Sequence, residues 1–337
     1  MKTNPFKAVS FNEKAIRKAL EAAGSLIVET KYDGVRGNVL VQPGGLTFLS
    51  RVGKTIPALS WLDGVALPAH QLLTDDRQPF KDGFMIDCEF LVKGVDFNTG
   101  SGLLRTAHSD TKNFRFNCNP DAEETTKKSR KVPFQLDPER VEARVIAVLP
   151  IDAVASGKEY PVDSALMQYH VANAVAILRD KYPTIDWKMT HSQDVFDFDA
   201  LAPLFKQARE DGQEGLIIKD PLCNYKRGKK SGWWKMKPEG EADGEVVGLV
   251  WGTEGLANEG KVIGFEVLLE SGRVVNATNI SQALMDEFTH NVKTFDTDYY
   301  LGYACQVNYM EETPDGSLRH PSFEKFRGTE SDPFTKM

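Results

Sequence analysis

A lysine, an aspartate, a glycine and an arginine lie within six residues of one another in the segment ETKYDGVRGN, which begins at Glu29. The segment continues an apolar run, so Lys31 is predicted to end a buried strand. Partial burial favours the neutral form of an amine, and a neutral amine is a nucleophile. The Asp33-Gly34 pair predicts a tight turn that returns the chain with Arg36 on the same side. Alone, the pattern also fits a strand-end lysine paired with Asp33.

Four further short patterns follow along the chain and carry the side chains that phosphate chemistry uses. They are SR at 50–51, DCEF at 87–90, EGLIIK at 214–219 and WWKMK at 233–237. Because strand side chains alternate between two faces, Lys235 and Lys237 are predicted to share one face. A loop carboxylate or a solvated strand edge explains any one pattern. Five patterns in this order favour a catalytic constellation.

These residues resemble the shared motifs of the covalent nucleotidyltransferases, which include DNA ligases, RNA ligases and mRNA capping enzymes. Those motifs look like K-x-D-G-x-R, S-R, D-G-E, E-G-x-x-x-K and K-x-K. The segment SLRHPSFEKFR at 317–327 resembles the last motif of ATP-dependent DNA ligases. The segments KTNPFKAVSF, YKRGKKSGWWKMKP and EETPDGSLRHPSF extend the resemblance to the short DNA ligases of T7-like bacteriophages.

The resemblance implies that Lys31 attacks the α-phosphorus of ATP and retains AMP through a phosphoramide bond. It assigns Arg36 and Arg51 to the ribose and phosphate region, and Glu89 to the ribose. Ile146 stands where the family usually stacks an aromatic ring on adenine. A branched apolar side chain can still cover the base, but it forfeits a stacking contact worth about 1–3 kcal/mol. We therefore expect somewhat reduced ATP affinity.

The resemblance also implies a set of groups for the triphosphate and its metal. Glu214 matches the glutamate that is linked to Mg²⁺, which neutralises charge on the phosphate oxygens. Lys235 and Lys237 are assigned to the α-phosphate and the leaving pyrophosphate. Arg319 and Arg327 belong to the last motif, which orients pyrophosphate in the first step. The implied cofactors are ATP and Mg²⁺.

The segment KRGKKSGWWKMK at 226–237 carries six cations and no anion. We expect Lys226, Arg227 and Lys230 to lie in a glycine-rich loop and to contact DNA phosphates. Lys229 lies at the border of this group and is a further candidate for the triphosphate. The alternative interpretation is a solvated basic loop.

The elements that position these residues predict an α+β fold. Helical patterns cover 12–23, 163–181 and 199–211, and strand patterns lead to the motif residues, which indicates antiparallel sheets with helices. After Pro238 the chain changes to short strands with glycine-rich turns and one helix, which suggests an OB-fold β-barrel. We expect a nucleotidyltransferase (adenylation) domain over residues 1–240, an OB-fold domain over 241–337, and a flexible linker at 238–244.

Charge is divided unevenly along the chain, whose net charge is −7. Residues 1–240 carry 34 basic and 31 acidic side chains, whereas residues 241–337 carry 7 and 17. Local patches rather than the total decide whether a polyanion binds. The four cysteines form no C-x-x-C pattern, which argues against zinc and a disulfide scaffold. No apolar run approaches the length of a membrane span. We expect a monomer in a reducing cytoplasm, that of the bacterial host if the protein is viral.

Three functions are consistent with these observations. The first is an ATP-dependent DNA ligase that seals nicks between a 3′-hydroxyl and a 5′-phosphate in duplex DNA. The second is an RNA ligase or a capping nucleotidyltransferase, against which the DNA-ligase form of the last motif argues. The third is a nucleic-acid-binding module with an inactive core, which the complete motif set disfavours. A role in replication, recombination or repair is left open.

Overall fold

The computed structural model describes residues 2–65, 82–110, 114–124, 130–312 and 316–327. The chain forms two compact units. The first comprises Met1–Asp194 and Ile218–Trp234, and the second comprises Val195–Ile217 and Lys235–Met337. The units interleave along the chain, whereas the predicted boundary between residues 240 and 241 divides it once. That boundary stays a prediction.

The predicted helices are confirmed, and polar side chains define where they begin. The α-helices are α1 (Glu13–Ala23), α2 (Phe97–Arg105), α3 (Ile151–Ser156), α4 (Ser164–Lys181), α5 (Leu201–Glu210) and α6 (Gln282–Thr294). Asn12, Asp163 and Ser281 accept hydrogen bonds from backbone N–H groups in the first turns of α1, α4 and α6. Such caps satisfy donors that the helix leaves unpaired. Helix α1 ends at Gly24, whose φ of 76° suits a residue without Cβ.

Strands account for most of the remaining order. They are β1 (Phe6–Ser10), β2 (Leu26–Lys31), β3 (Val35–Gln42), β4 (Gly45–Ser50), β5 (Phe84–Val92), β6 (His108–Ser109), β7 (Val132–Pro133), β8 (Val141–Pro150), β9 (Tyr160–Asp163), β10 (Asp186–Met189), β11 (Ser192–Val195), β12 (Gly215–Lys219), β13 (Asn224–Tyr225), β14 (Gly228–Met236), β15 (Gly240–Trp251), β16 (Val262–Leu269), β17 (Val274–Ala277), β18 (Ala304–Tyr309), β19 (Glu311–Glu312), β20 (Leu318–Arg319) and β21 (Ser322–Phe326).

Two five-stranded sheets carry the N-terminal motifs, in the orders β1-β14-β12-β2-β11 and β10-β8-β5-β3-β4. In the second sheet β8, β5, β3 and β4 are antiparallel, as predicted, and β10 adds a parallel edge. Large apolar side chains such as Phe48, Phe84, Phe90 and Trp187 are fully buried in the core of the first unit. This packing fixes the register of the strands that hold the motif residues.

The second unit contains an antiparallel sheet in the order β17-β16-β15-β18-β21, together with α6. Its core is an aromatic cluster centred on Phe265 and Phe288. Strand β15 begins at Gly240, and residues 240–245 pair with β18. The prediction of a linker over 238–244 is therefore wrong for 240–244, because these residues are fixed by a hydrogen-bonded ladder.

None of the helices in the described ranges combines the length and the apolar character that a membrane span requires.

Candidate active site

Lys31 is the last residue of β2, where the buried residues of that strand give way to a half-buried lysine. Tyr32 follows directly and is held at two points. The guanidinium of Arg144 lies 4.6 Å from the Tyr32 ring centroid, and the His191 N–H donates to the Tyr32 hydroxyl at 3.3 Å. The position of the chain just after Lys31 is therefore fixed by side-chain contacts as well as by the sheet.

The turn after Lys31 leaves no room for a side chain at Gly34. A Cβ on Gly34 would lie 2.6 Å from the Phe90 carbonyl oxygen and 2.7 Å from the Glu89 Cγ. Both separations are too short for carbon in a folded protein, so a side chain would push the turn away from β5. The glycine of the K-x-D-G pattern therefore lets the turn approach Glu89 closely.

Strand register places three predicted nucleotide-binding residues in one row. Arg36 on β3 is opposite Glu89 on β5. On the other side of β3, the Arg51 N–H donates to the Arg36 carbonyl oxygen at 3.1 Å. Arg51 is exposed and Glu89 is half-buried. The structure thus brings Arg36 on β3, Glu89 on β5 and Arg51, directly after β4, into one row.

The Arg36 guanidinium is bound by a buried carboxylate that the sequence analysis did not single out. Its Nε and Nη2 donate to the two oxygens of Asp87 at 2.6 and 2.8 Å, and Asp87 is fully buried. The Tyr225 hydroxyl also donates to Asp87, at 2.7 Å. Burial alone would lower the pKa of Arg36, but the Asp87 carboxylate outweighs it and raises that pKa. The assignment of Arg36 to the nucleotide stays a prediction, since its charge is already matched.

A cavity in the first unit is lined by Ile146, Glu29, Lys219 and Trp233, among others. Ile146 reaches it through a β-bulge. Asp87 pairs with Ala147, whereas Cys88 pairs with Val145, so Ile146 is the extra residue on β8. Bulges redirect a side chain, and they are frequent beside functional sites.

The polar wall of this cavity is a buried ion pair. The Lys219 Nζ donates to the Glu29 Oε1 at 2.6 Å, and the two side chains are 4% and 6% exposed. The same Nζ lies 4.1 Å from the Trp233 ring centroid. Burial lowers the pKa of Lys219, and the Glu29 carboxylate offsets part of that effect. The cavity therefore combines apolar walls with a few fixed polar groups.

The predicted phosphate and metal residues of the second unit occur as ion pairs. The Lys237 Nζ donates to the Glu214 Oε1 at 2.6 Å. Lys235 forms an ion pair with Glu239. Arg327 follows β21, and its Nε donates to the Asp243 Oδ1 at 3.1 Å.

Arg319 lies on β20 opposite Glu311 of β19 and is half-buried. Its predicted contact with pyrophosphate stays a prediction.

The predicted loop is confirmed for Lys226 and Arg227, which lie between β13 and β14. It is wrong for Lys230, because β14 begins at Gly228 and places Lys229 and Lys230 on a strand. Arg227 is only 6% exposed, and its guanidinium donates to the Thr3 carbonyl oxygen. The prediction that Arg227 contacts DNA is wrong in this structure, because a buried side chain cannot reach a phosphate. The Lys226 Nζ donates to the Ser231 carbonyl oxygen, and the exposed Lys230 pairs with Glu159.

Family models match nearly the whole chain. The model described as "ATP dependent DNA ligase domain" matches residues 5–237, and that described as "DNA ligase C-terminal domain" matches 238–298 and 294–327. The chain belongs to the ATP-dependent DNA ligases. As a member of that family it is 57% identical to the DNA ligase of Escherichia phage T7 and 58% identical to that of Enterobacteria phage T3. These alignments cover 100% and 99% of this ligase and 99% of each relative.

The fold of this DNA ligase is similar to a solved structure described as the ATP-dependent DNA ligase from bacteriophage T7 in complex with ATP. The TM-score is 0.85 and the identity 56%, over 97% of this chain and 99% of the other. The mixed α/β N-terminal region and the C-terminal domain predicted from the sequence are thereby confirmed.

Sequence reasoning missed several polar residues around the motifs of this ligase. Asp87 and Glu29 each lie two residues before a motif residue, on the same strand face as Glu89 and Lys31 respectively. Alternation could have indicated both positions. Nothing in the local pattern indicates Tyr225, which approaches Asp87 from a distant part of the chain.

Proposed function

We propose that this DNA ligase seals 3′-hydroxyl/5′-phosphate nicks in duplex DNA with ATP, and that Lys31 carries the AMP. The placement of Lys31 carries the proposal: it ends a buried strand, and Glu29, two residues earlier, lines the cavity. Full-length similarity to phage DNA ligases supports the same reaction. We further propose that the protein acts as a monomer in the bacterial host cytoplasm, since those relatives are phage proteins.

The reaction proceeds in three phosphoryl transfers. The Lys31 Nζ lone pair attacks the α-phosphorus of ATP, a P–N bond forms, and pyrophosphate leaves as the bond to the β-phosphate breaks. An oxygen of the 5′-phosphate at the nick then attacks the lysyl-AMP phosphorus, and the P–N bond breaks. The 3′-hydroxyl attacks the activated 5′-phosphate, and AMP leaves. Positioning and electrostatic stabilisation dominate such catalysis.

The cavity beside Ile146 is the proposed adenine site. Ile146 and Trp233 offer apolar contacts, and Glu29 offers acceptor oxygens to an amino group. Glu89 and Arg51 are proposed for the ribose and phosphates, because Glu89 on β5 and Arg51, directly after β4, lie on either side of Arg36. Lys229, Lys235, Lys237, Arg319 and Arg327 are proposed for the phosphates.

Glu214 is the proposed ligand for Mg²⁺. The described residues contain no group of three or more His, Cys, Asp or Glu that could hold a metal by themselves. Mg²⁺ in nucleotide enzymes uses one or two carboxylates together with phosphate oxygens and waters. Glu214 supplies one such carboxylate, and its side chain is only half-buried. When bound there, Mg²⁺ would neutralise charge on the phosphate oxygens. Lys237, hydrogen-bonded to Glu214, would keep the carboxylate oriented.

We propose that the C-terminal domain begins after residue 240 and is an OB-fold barrel. Its edge strands β17 and β21 approach each other where the Thr278 N–H donates to the Pro321 carbonyl oxygen at 3.1 Å, beside a bridge between Thr278 and Ser322. The two family models meet between residues 237 and 238, close to the proposed boundary.

Replacement of Lys31 by alanine tests the nucleophile directly. Incubation with α-labelled ATP and Mg²⁺ should label the wild-type protein, and Lys31→Ala should remain unlabelled and fail to seal ordinary nicks. Lys31→Arg should fail too, because a guanidinium stays protonated. Lys31→Ala should still seal a nick that is already adenylated, which shows that the fold is intact.

Lys18→Ala, on the exposed side of α1, is the matched control and should label normally. A labelled Lys31→Ala protein would show that another residue is the nucleophile. Labelling by GTP in place of ATP would favour a capping enzyme.

A further inference from the structure

Two cations that the proposed function gives to the phosphates are held by carboxylates that no motif includes. Lys235 forms an ion pair with Glu239, and the Arg327 Nε donates to the Asp243 Oδ1 at 3.1 Å. Glu239 lies just before β15, and Asp243 lies within it. Both carboxylates therefore come from the short acidic segment 239–243, which follows the K-x-K motif and includes the first residues of β15.

The backbone holds both carboxylates against β18. Asp243 pairs with Gln306 of β18, and the Glu239 N–H donates to the Tyr309 carbonyl oxygen at 2.8 Å. On the other side of β18, the Arg327 N–H donates to the Ala304 carbonyl oxygen at 2.7 Å. Asp243 and Arg327 thus face each other across β18, because strands on both of its sides are hydrogen-bonded to it.

A carboxylate and a phosphate bind an ammonium or guanidinium group in the same way, through charge-assisted hydrogen bonds. An ammonium has three N–H donors and a guanidinium five, so a phosphate can share the cation with the carboxylate, but it then meets a cation whose charge is already partly balanced. From this geometry we infer that Glu239 and Asp243 are positioning residues that hold Lys235 and Arg327 as internal counter-ions and compete with the phosphates of ATP and pyrophosphate. The inference rests on the proposed function, which gives the two cations to those phosphates.

This competition has a consequence for turnover. Each carboxylate weakens the binding of ATP, but it also weakens the binding of the pyrophosphate that must leave after Lys31 takes AMP. When pyrophosphate departs, Lys235 and Arg327 still have their carboxylate partners and are not left as unpaired charges. The acidic segment therefore favours product release at some cost in affinity for ATP.

The exposure of the pairs sets the expected size and order of the effects. The side chains of Lys235 and Glu239 are 25% and 31% exposed, and those of Arg327 and Asp243 are 43% and 51% exposed. Partly exposed pairs of this kind are weak, so removing the Glu239 charge should change phosphate affinity by about two- to fivefold. The more exposed Asp243 should have a smaller effect.

The test measures the KM for ATP in single-turnover formation of lysyl-AMP, and the inhibition constant of pyrophosphate, in the full-length chain. Glu239→Gln should lower the KM and make pyrophosphate inhibit more tightly, and Asp243→Asn should do both to a smaller degree. Glu241→Gln is the control. Glu241 lies between Glu239 and Asp243 in the sequence, its side chain is exposed, and no described residue forms an ion pair with it. The substitution removes the same charge and should change neither constant.

Tighter pyrophosphate inhibition cannot arise from a damaged fold, so a gain in affinity supports the inference. An unchanged or higher KM in Glu239→Gln would overturn it, because the carboxylate would then be neutral for phosphate binding or would assist it. An equal gain in Glu241→Gln would also overturn it, since the effect would be one of general charge. Absence of labelled wild-type protein would instead refute the proposed function.

Discussion

Asp87 binds two polar side chains in the interior of the first unit. It is fully buried, and its oxygens accept hydrogen bonds from Arg36 and Tyr225. The Tyr225 hydroxyl in turn accepts from the Phe6 N–H at 3.0 Å. Burial, and then the Asp87 charge, raise the pKa of Tyr225 well above its usual value, so the hydroxyl stays protonated and able to donate. The arginine of the K-x-D-G-x-R motif is therefore held by a network reaching the N-terminal strand.

Replacing Asp87 by asparagine should lower the free energy of unfolding by about 3 kcal/mol, because removing one member of a buried charge pair leaves the other without compensation. Urea denaturation at neutral pH measures this loss. Tyr225→Phe, which removes one hydrogen bond and no charge, should cost about 1 kcal/mol. Equal losses in the two variants would show that the Arg36 charge does not depend on Asp87.

Tyr300 should make the stability of the second unit sensitive to alkaline pH. Burial raises the pKa of Tyr300 to about 12, and Asn291 donates to its hydroxyl at 2.7 Å. In the unfolded chain this tyrosine ionises near pH 10. Its contribution to stability is therefore complete below pH 10 and is lost as the pH rises to about 12.

Tyr300→Phe should flatten this alkaline loss and cost about 1 kcal/mol at pH 8, where only the hydrogen bond is removed. Chemical denaturation at pH 8, 10 and 11 separates the two effects. Tyr169→Phe is the control, since that side chain is 75% exposed, and its pH dependence should match the wild type. A Tyr300→Phe variant with the wild-type alkaline slope would contradict the assignment.

At the scale of elements, the close approach of two strands fixes Glu214. Gly215 follows Glu214 with a φ of 151°, and a Cβ there would lie 2.1 Å from the Met236 carbonyl oxygen. Met236 is the neighbour of Lys237, which is hydrogen-bonded to Glu214. The backbone at Gly215 therefore lies against the backbone at Met236, and a side chain at position 215 would separate Glu214 from Lys237.

Gly215→Ala should lower the free energy of unfolding by about 3 kcal/mol or more, because backbone strain and steric overlap add. Gly212→Ala is a matched control. Gly212 also has a positive φ, 73°, but a Cβ there would meet no atom within 4 Å. Strain alone should cost about 1–2 kcal/mol at that position. Urea denaturation of both variants should show this order, and the reverse order would contradict the proposed packing.

Elements with a clear local period were predictable, and contacts between distant strands were not. The apolar run before Lys31 identified β2, and the helical patterns identified α1, α4 and α5. The bulge at Ile146 depends on the register between β5 and β8, which neither strand specifies alone. Residues 240–244 suggested a linker because they are acidic and glycine-rich, but pairing with β18 makes them a strand. Arg227 was predicted to be exposed, because no local pattern indicates its hydrogen bond to the distant Thr3 carbonyl oxygen.

At the scale of the whole molecule, a chain with a net charge of −7 is proposed to bind a polyanion. The excess of acidic residues lies in residues 241–337, and residues 1–240 carry a small excess of basic residues. A basic patch is sufficient for binding when its side chains reach backbone phosphates, because each contact releases condensed counterions. Lys226 and Lys230 are the members of the predicted DNA-binding set that this structure leaves at the surface or close to it.

The double variant Lys226→Ala/Lys230→Ala should bind nicked DNA more weakly and should form lysyl-AMP at the wild-type rate. Each lost phosphate contact should reduce the slope of log affinity against log salt by about 0.9. Binding measured by fluorescence anisotropy from low to moderate salt gives that slope. Lys14→Ala/Lys18→Ala removes the same charge from exposed positions on α1 and is the control. If both double variants shift the slope equally, net charge rather than a local contact drives the binding, and Lys230 serves only its ion pair with Glu159.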